Sequence, residues 1–122
     1  MKHILVVDDD ALVRTGTVAM LEDLGHLPRE ASSASEALEF LADGKDCDLV
    51  ITDHAMPGMT GAELARHLRS SSPGLPVILA SGYAELSEDN GLGRMLRMTK
   101  PFTQEQLQAA MDQALSGKVA AA

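Results

Sequence analysis

The sequence predicts an α/β domain built as a doubly wound parallel sheet of five strands, with helices packed on both faces. Short apolar runs alternate with longer segments of helical period about five times along the 122 residues, which is the pattern of repeated βαβ units. The apolar runs are continuous stretches of Val, Ile and Leu rather than strict alternations of apolar and polar residues. Continuous runs indicate strands that are covered on both faces, as in a parallel sheet with right-handed crossovers.

Five segments are the strand candidates, and each is followed by a polar residue. They are His3 to Val7, Leu27 to Ala31, Asp48 to Thr52, Pro76 to Ala80 and Met95 to Met98. Pro28 lies inside the second segment, and because proline has no backbone N–H to donate, that strand is expected at an edge of the sheet. The flavodoxin-like strand order 2-1-3-4-5 has the second strand at an edge. It also makes strands 1 and 3 neighbours at the switch point where ligands bind.

Apolar residues recur at helical spacing in four of the intervening segments. These stripes are Val13, Thr17, Met20, Leu21 and Leu24; Ala34, Ala37, Leu38 and Leu41; Gly61, Leu64, Ala65 and Leu68; and Leu107, Ala110, Met111, Ala114 and Leu115. Gly25 is expected to end the first helix, and Ser32 or Ser33 to cap the second, with Glu36 three residues after Ser33. The segment between Ser81 and Lys100 is short and broken by glycine, so a fourth helix there is expected to be truncated or irregular.

Composition excludes several classes of function. A net charge of −8, one tyrosine and no tryptophan argue against direct binding of nucleic acid, which requires basic patches and stacking platforms. Cys47 is the only cysteine, so the chain can form neither an internal disulfide nor a thiolate metal cluster. No apolar run approaches the ~18 residues of a membrane span, and the N-terminus lacks the features of a signal peptide. We therefore expect a cytoplasmic protein that does not enter the membrane.

Charged and hydroxyl side chains follow the predicted strands at their carboxyl ends. Asp8 and Asp9 follow strand 1, Asp53 follows strand 3, Ser81 follows strand 4 and Lys100 follows strand 5. Because strands 1 and 3 are expected to be neighbours, the three carboxylates should converge into a site of hard oxygen ligands that suits Mg²⁺. An ammonium and a hydroxyl beside them would complete a cradle for a phosphoryl group, with a carboxylate as the nucleophile.

Four sequence blocks, in order, resemble the signature blocks of the receiver domain of two-component response regulators. They are "ILVVDDD", "DLVITDHAMPGMTG", "ILASGYA" and "KPF", and the resemblance runs from about Lys2 to the end of the last helix. It implies a single receiver domain over residues 1–122, without an output domain. Such a domain is a phosphorylation-dependent signalling switch, and its phosphodonor is a sensor histidine kinase or a histidine phosphotransfer domain. It is not an enzyme beyond promoting its own phosphoryl acceptance and dephosphorylation.

The resemblance also implies roles for the acidic residues. Asp53 matches the phosphoacceptor of the family. Asp9 matches the direct ligand of Mg²⁺ (or Mn²⁺), and Asp8 matches the acid that binds the ion mostly through water. The third protein ligand would be the backbone carbonyl oxygen of Ala55, two residues after the acceptor.

Other positions carry further expectations. Ser81 and Lys100 match the residues that contact the phosphoryl group, and Pro101 follows Lys100 in a peptide bond that is usually cis in the family. Asp10 is expected to be the N-cap of the first helix rather than a metal ligand. His54, beside the acceptor, is expected to be a partly exposed bystander.

The residues expected to change conformation on phosphorylation, here called the switch residues, depart from the family pattern. Receivers commonly carry Tyr or Phe three residues before the lysine, whereas this chain has Arg97 there and Tyr83 two residues after Ser81. This "SGY" arrangement resembles receivers attached to hybrid sensor kinases and a set of stand-alone receivers. Phosphorylation is expected to draw Ser81 inward, reorient Tyr83 and reorder residues 85–93. That change would remodel the face of helix 4, strand 5 and helix 5, with Arg97 exposed to an acidic downstream protein; alternatively, Tyr83 only packs against its loop.

Two other classes on related folds fit the sequence less well. A phosphatase of the haloacid dehalogenase type needs Asp-x-Asp after strand 1 and a cap domain, whereas this chain has adjacent aspartates and no length for a cap. A nucleotide or flavin module would need a glycine-rich loop after strand 1, where three aspartates would repel a phosphate that lacks a metal. Met1 directly before strand 1 favours a stand-alone protein over a receiver cut from a hybrid kinase.

Overall fold

The computed structural model describes residues 2–44, 46–81 and 96–116. Its elements, in chain order, are β1 His3–Val7, α1 Ala11–Asp23, β2 Leu27–Ala31, α2 Ala34–Ala42, β3 Leu49–Asp53, α3 Gly61–Ser71, β4 Val77–Ser81, β5 Leu96–Thr99 and the C-terminal helix Gln104–Leu115. Tyr83 and the predicted fourth helix lie outside the described residues. None of the helices in the described ranges has the length and apolarity needed to cross a membrane.

The five strands form one parallel sheet in the order β2-β1-β3-β4-β5. This confirms the predicted flavodoxin-like topology, including the position of β2 and its Pro28 at an edge. The last three strands each end one residue later than predicted, and β3 and β4 also begin one residue later. The ladder between β3 and β4 continues to the pair Asp53 and Ala80, and the ladder between β4 and β5 continues to Ser81 and Thr99. Two of the expected site residues are therefore the last residues of strands and not the residues after them.

Alternate side chains of the central strand β1 enter two separate cores. Ile4 and Val6 of β1 pack in the cluster that contains Leu21 of α1 and Met111 of the C-terminal helix. Their neighbours Leu5 and Val7 belong to the cluster that includes α2 and α3 residues. Because successive side chains of a strand point to opposite faces, this division covers the sheet on both sides. The continuous apolar runs of the sequence are the consequence of that double coverage.

Each described helix begins at a residue whose side chain accepts a hydrogen bond from its first turn. The N-caps are Asp10, Ser33, Thr60 and Thr103, and the last two form reciprocal capping boxes. The predicted roles of Asp10 and Ser33 are thus confirmed. Gly25 follows the end of α1 with a φ of +89°, a left-handed conformation that glycine adopts at little steric cost.

The predicted apolar face of α1 is wrong in its first turn. Val13 is 36% exposed and Leu12 is 85% exposed, whereas Thr17 and Leu21 are buried. The helix runs back along the sheet from the carboxyl ends of the strands, so its first turn lies above the polar end of the sheet. The helix reaches the apolar middle of the strands only in its later turns, and Val13 has no core to enter.

Gly61, the first residue of α3, packs directly against the end of β3. A methyl group on its Cα would overlap the backbone carbonyl oxygen of Asp53 and crowd the side chain of Leu79. The amide of Gly61 also donates a hydrogen bond of 2.9 Å to the carbonyl oxygen of His54. This close approach sets the distance between α3 and the strand that carries Asp53, and only glycine permits it.

Replacing Gly61 with alanine is expected to destabilise the protein by ~1–3 kcal/mol, because α3 must move away from β3. The matched control is Gly16→Ala in α1, where a methyl group meets no atom within 4 Å. That change should stabilise the protein by roughly 0.5–1 kcal/mol through helix propensity. Urea unfolding followed by circular dichroism measures both values. Equal stability of the two variants would contradict the steric argument.

Candidate functional site

The carboxyl ends of the central strands bring three acidic residues together. One carboxylate oxygen from each of Asp8, Asp9 and Asp53 lies within 4.8 Å of the other two. Asp8 and Asp53 are 5% and 8% exposed, and Asp9 is exposed. Adjacent parallel strands β1 and β3 position the group, since Asp8 and Asp9 follow Val7 and Asp53 ends β3.

Lys100 lies between the two buried carboxylates. Its Nζ donates hydrogen bonds to Asp53 Oδ1 at 2.5 Å and to Asp8 Oδ2 at 3.2 Å. Burial by itself lowers the pKa of Lys100, but the hydrogen bond and charge of Asp53, followed by those of Asp8, outweigh it and hold the pKa above its ordinary value. The side chain is therefore an ammonium at neutral pH and compensates part of the charge of the cluster.

The remaining predicted site residues are distributed around this group. Ser81 is 1% exposed, and its Oγ has no hydrogen-bond partner among the described residues. Its carbonyl oxygen accepts a bond of 2.9 Å from the amide of Lys100, which ties the end of β4 to the Lys100-Pro101 cis peptide. Ala55 is exposed, two residues beyond Asp53. Arg97 is half-buried and lies opposite Leu79 in the ladder between β4 and β5.

Asp10 bonds to the first turn of α1 and is not a member of the acidic cluster. Its Oδ1 accepts hydrogen bonds from the amides of Leu12 and Val13 at 3.0 and 3.3 Å. Its own amide donates to Asp8 Oδ1 at 2.9 Å. The third aspartate of the run therefore caps α1 and orients its neighbour, instead of adding a carboxylate to the site.

His54 is buried, with 9% of its surface exposed, so the expectation of a partly exposed side chain is wrong. Its amide donates to the carbonyl oxygen of Ala80, and its carbonyl oxygen accepts from the amides of Met56 and Gly61. The backbone thus continues to pair with β4 for one residue beyond β3 and then bonds to the first residue of α3. The buried Nδ1 has no hydrogen-bond partner in the described ranges.

An ion pair beside the acidic residues was not anticipated from the sequence. Arg14 of α1 pairs with Glu30 of β2 at 2.8 Å and also donates to the backbone carbonyl oxygen of Asp8 at 2.7 Å. The one available signal was that Arg14 follows the N-cap Asp10 by a single helical turn and so returns toward the strand end. Nothing in the sequence pattern shows that Glu30 meets it there.

The donor set fits a divalent cation that prefers oxygen ligands. Three carboxylates and no His or Cys make up the cluster found in the described residues, which is the ligand chemistry of Mg²⁺ or Mn²⁺ and not of zinc. The single ammonium of Lys100 compensates only part of the charge. Asp9, which is exposed, leaves one side of the cluster open to ligands from the solvent.

A flavodoxin-like sheet with an acidic cluster at its switch point defines a class of α/β domains that bind ligands at the carboxyl ends of strands. The chain belongs to the response regulator receiver domain family, whose model matches residues 4–112. Receiver domains are phosphorylation-dependent signalling switches of two-component systems and generally not enzymes. They interact with histidine kinases or phosphotransfer proteins and bind Mg²⁺ at an acidic pocket.

Individual relatives agree with this assignment. The sensor kinase CckA of Brucella abortus is 36% identical over 116 residues, which are 92% of this chain and 12% of that protein. The response regulator TrrA of Thermotoga maritima, solved in complex with Mg(2+)-BeF, has a TM-score of 0.85 at 30% identity and covers 94% of this chain and 100% of its own. The receiver domain of a hybrid histidine kinase CckA has a TM-score of 0.77 at 30% identity, and the match covers 93% of this chain and 98% of that domain. The chain spans 12%, 24% and 50% of the length of three of the curated relatives that it matches.

Replacing Lys100 with alanine is expected to raise the affinity of the cluster for Mg²⁺ or Mn²⁺ by roughly tenfold, because a cation beside two of the carboxylates is removed. Lys2→Ala, at the other end of the sheet, removes the same charge and should leave the affinity unchanged. Titration calorimetry with each metal measures the difference. Weaker binding in Lys100→Ala would mean instead that the ammonium is needed to hold the carboxylates in position.

Proposed function

We propose that this chain is a single receiver domain whose Asp53 accepts a phosphoryl group from a histidine kinase or a histidine phosphotransfer domain. The observation that carries the proposal is the contact of a nearly buried Asp53 with Lys100, beside Asp8 and Asp9. An ionised carboxylate is already a nucleophile and needs no general base. One oxygen of Asp53 forms the new O–P bond while the P–N bond to the donor histidine breaks, and the donor imidazole keeps the electron pair.

Asp9, Asp53 and the carbonyl oxygen of Ala55 would hold Mg²⁺ (or Mn²⁺), with Asp8 contributing mostly through water. When bound, the ion supplies positive charge to the oxygens of the transferring group. Support comes from the 4.8 Å clustering of the three carboxylates and from their oxygen-only chemistry. Ala55 is exposed and lies two residues beyond Asp53. The catalysis of the domain is confined to its own phosphoryl acceptance and dephosphorylation.

Lys100 and Ser81 would bind the phosphoryl oxygens. Formation of the acyl phosphate removes the charge of the Asp53 carboxylate, so the ammonium of Lys100 gains a new and more negative partner. The buried Oγ of Ser81 has a donor hydrogen and no partner in the described residues, and a phosphoryl oxygen would satisfy it. Both changes act on the ends of β4 and β5. These ends are linked by the hydrogen bond from the Lys100 amide to the Ser81 carbonyl oxygen.

The readout would follow from the movement of Ser81, in a receiver of the "SGY" type. Tyr83 is two residues beyond Ser81, and the half-buried Arg97 occupies the β5 position where receivers commonly carry an aromatic residue. Reorientation of Tyr83 and reordering of residues 85–93 would remodel the face formed by the predicted fourth helix, β5 and the C-terminal helix. An acidic downstream protein would then contact Arg97 on that face.

Replacing Asp53 with asparagine is expected to abolish labelling by acetyl phosphate in the presence of Mg²⁺, because the nucleophilic oxygen is lost. Asp10→Asn is the matched control, since asparagine caps a helix as well as aspartate does, and it should be labelled normally. Intact-protein mass spectrometry after a timed reaction measures the added mass. Undiminished labelling of Asp53→Asn, or a label mapped to His54 or Ser81, would refute the assignment of the acceptor.

Replacing Leu12 with serine is expected to slow transfer from a histidine-phosphorylated protein by roughly tenfold or more, with no change in labelling by acetyl phosphate. Leu12 is 85% exposed on the first turn of α1, at the end of the sheet that a protein donor must cover to reach Asp53. Leu27→Ser is the control, because Leu27 is 43% exposed at the start of β2, the opposite end of the sheet. Equal slowing with both phosphodonors would place the effect on the site and not on docking.

Tyr83→Ala tests the readout. In the wild-type protein, beryllofluoride with Mg²⁺ should change amide exchange in residues 85–97, because the ligand draws Ser81 toward its fluorine atoms. The variant should bind the ligand and lose that response. A response equal to that of the wild type would show that Tyr83 only packs against its loop.

A further inference from the structure

One guanidinium joins three elements at the acidic end of the sheet. Arg14 of α1 donates from Nη1 to the carbonyl oxygen of Asp8 at 2.7 Å and from Nε to Glu30 Oε1 at 2.8 Å. The Arg14 side chain is only 17% exposed, against 48% for that of Glu30. A largely buried arginine with two directed hydrogen bonds is held in one geometry, since its planar fork is already arranged to reach two acceptors.

The Arg14 bond acts on the peptide unit between the two acids. The amide of Asp8 donates to the carbonyl oxygen of Ala31 at 3.1 Å, and its Oδ1 accepts from the amide of Asp10 at 2.9 Å. The carbonyl group of Asp8 belongs to the peptide plane that leads into Asp9, and Arg14 supplies its hydrogen bond. That plane is rigid, so its orientation determines where the Cα of Asp9 lies.

Asp9 depends on this backbone more than its neighbours do. Asp8 and Asp53 are each bonded to Lys100 through their carboxylates. In the described residues no side chain bonds to the carboxylate of Asp9, which is exposed. The position of the exposed acid is therefore set by the peptide that carries it, and Arg14 is the side chain that holds this peptide.

We propose that Arg14 is a positioning residue for the metal site, holding the Asp8–Asp9 peptide so that the acidic pair keeps its ligating geometry. The proposal rests on the metal site put forward as part of the proposed function. Glu30 contributes to the metal site through its charge. The charge of Arg14 beside the cluster would oppose the binding of a cation, and the carboxylate of Glu30 compensates that charge at 2.8 Å. The edge strand β2 is thereby coupled to the site, although none of its side chains belongs to the acidic cluster.

The deciding experiment is the charge-balanced double variant Arg14→Gln/Glu30→Gln, which removes the hydrogen bonds without changing the net charge. We expect its affinity for Mn²⁺, measured by titration calorimetry, to fall roughly five- to tenfold because the acidic pair is no longer preorganised. The control Arg29→Gln/Glu39→Gln makes the same substitutions at two exposed positions and should bind Mn²⁺ as the wild type does. Wild-type affinity in the Arg14→Gln/Glu30→Gln protein would overturn the proposal.

Single variants separate the hydrogen bond from the charge. Glu30→Gln keeps the bond from Arg14 to Asp8 but leaves the charge of Arg14 uncompensated. Its affinity for Mn²⁺ should therefore be lower than that of the wild type at low salt and equal to it at the same high salt, where the charge is screened. Arg14→Lys keeps the charge but lacks the planar guanidinium that donates two hydrogen bonds, and its loss of affinity should persist at high salt. If salt restores the affinity of both variants, Arg14 acts only through its charge and the positioning role is wrong.

A readout without metal distinguishes this proposal from the proposed function. In the metal-free protein, amide hydrogen exchange at Asp9 and Asp10 should accelerate in Arg14→Gln/Glu30→Gln and stay unchanged in the control pair, while urea unfolding reports whether both proteins remain folded. Failure of the wild-type protein to bind metal would refute the proposed metal site, whatever the exchange data show. Unchanged exchange in a folded double variant would refute the role of Arg14 alone. Should the double variant not fold, Arg14→Lys provides the same exchange comparison.

Discussion

The pairing of one ammonium with two nearly buried carboxylates is the interaction on which the site depends. Asp8 and Asp53 are 5% and 8% exposed, and two like charges so placed repel each other and are costly to bury unless a cation compensates them. Lys100 provides that compensation from a position 92 residues after Asp8 and 47 residues after Asp53. It makes no ion pair with the third acid, Asp9, and its one charge is smaller than that of three carboxylates. The cluster thus keeps an excess of negative charge on its open side, which is the electrostatic condition for attracting a divalent cation.

The topology of the sheet makes this pairing possible. The order β2-β1-β3-β4-β5 puts β1 and β3 side by side, so the acids that follow one strand meet the acid that ends the other. The carbonyl oxygen of Ser81, at the end of β4, accepts the amide of Lys100 and links the lysine to the same edge. On one face of the sheet, Gly61 lets α3 approach the end of β3. On the other face, Arg14 of α1 pairs with Glu30 and donates to the carbonyl oxygen of Asp8. Secondary structure therefore supports the cluster from both faces of the sheet.

Features that depend on neighbouring residues in the chain could be predicted from the sequence. Asp10 caps α1 because the residues it bonds, Leu12 and Val13, are its near neighbours. Pro28 assigns β2 to an edge because it lacks an amide hydrogen, and Gly25 ends α1 because it tolerates a positive φ. Strand ends were less predictable. Where a strand stops depends on how far its partner continues, and Asp53 remains in the ladder because Ala80 lies beside it.

The sequence by itself determined the class of fold, the order of the strands and the set of residues at their carboxyl ends, because apolar periodicity and local turn chemistry encode these features directly. Only the tertiary structure decided how those residues meet. It buries His54, leaves Val13 without a core and joins Arg14 to Glu30. Each of these outcomes depends on contacts between elements that are far apart in the chain, and no local pattern of residues specifies such contacts.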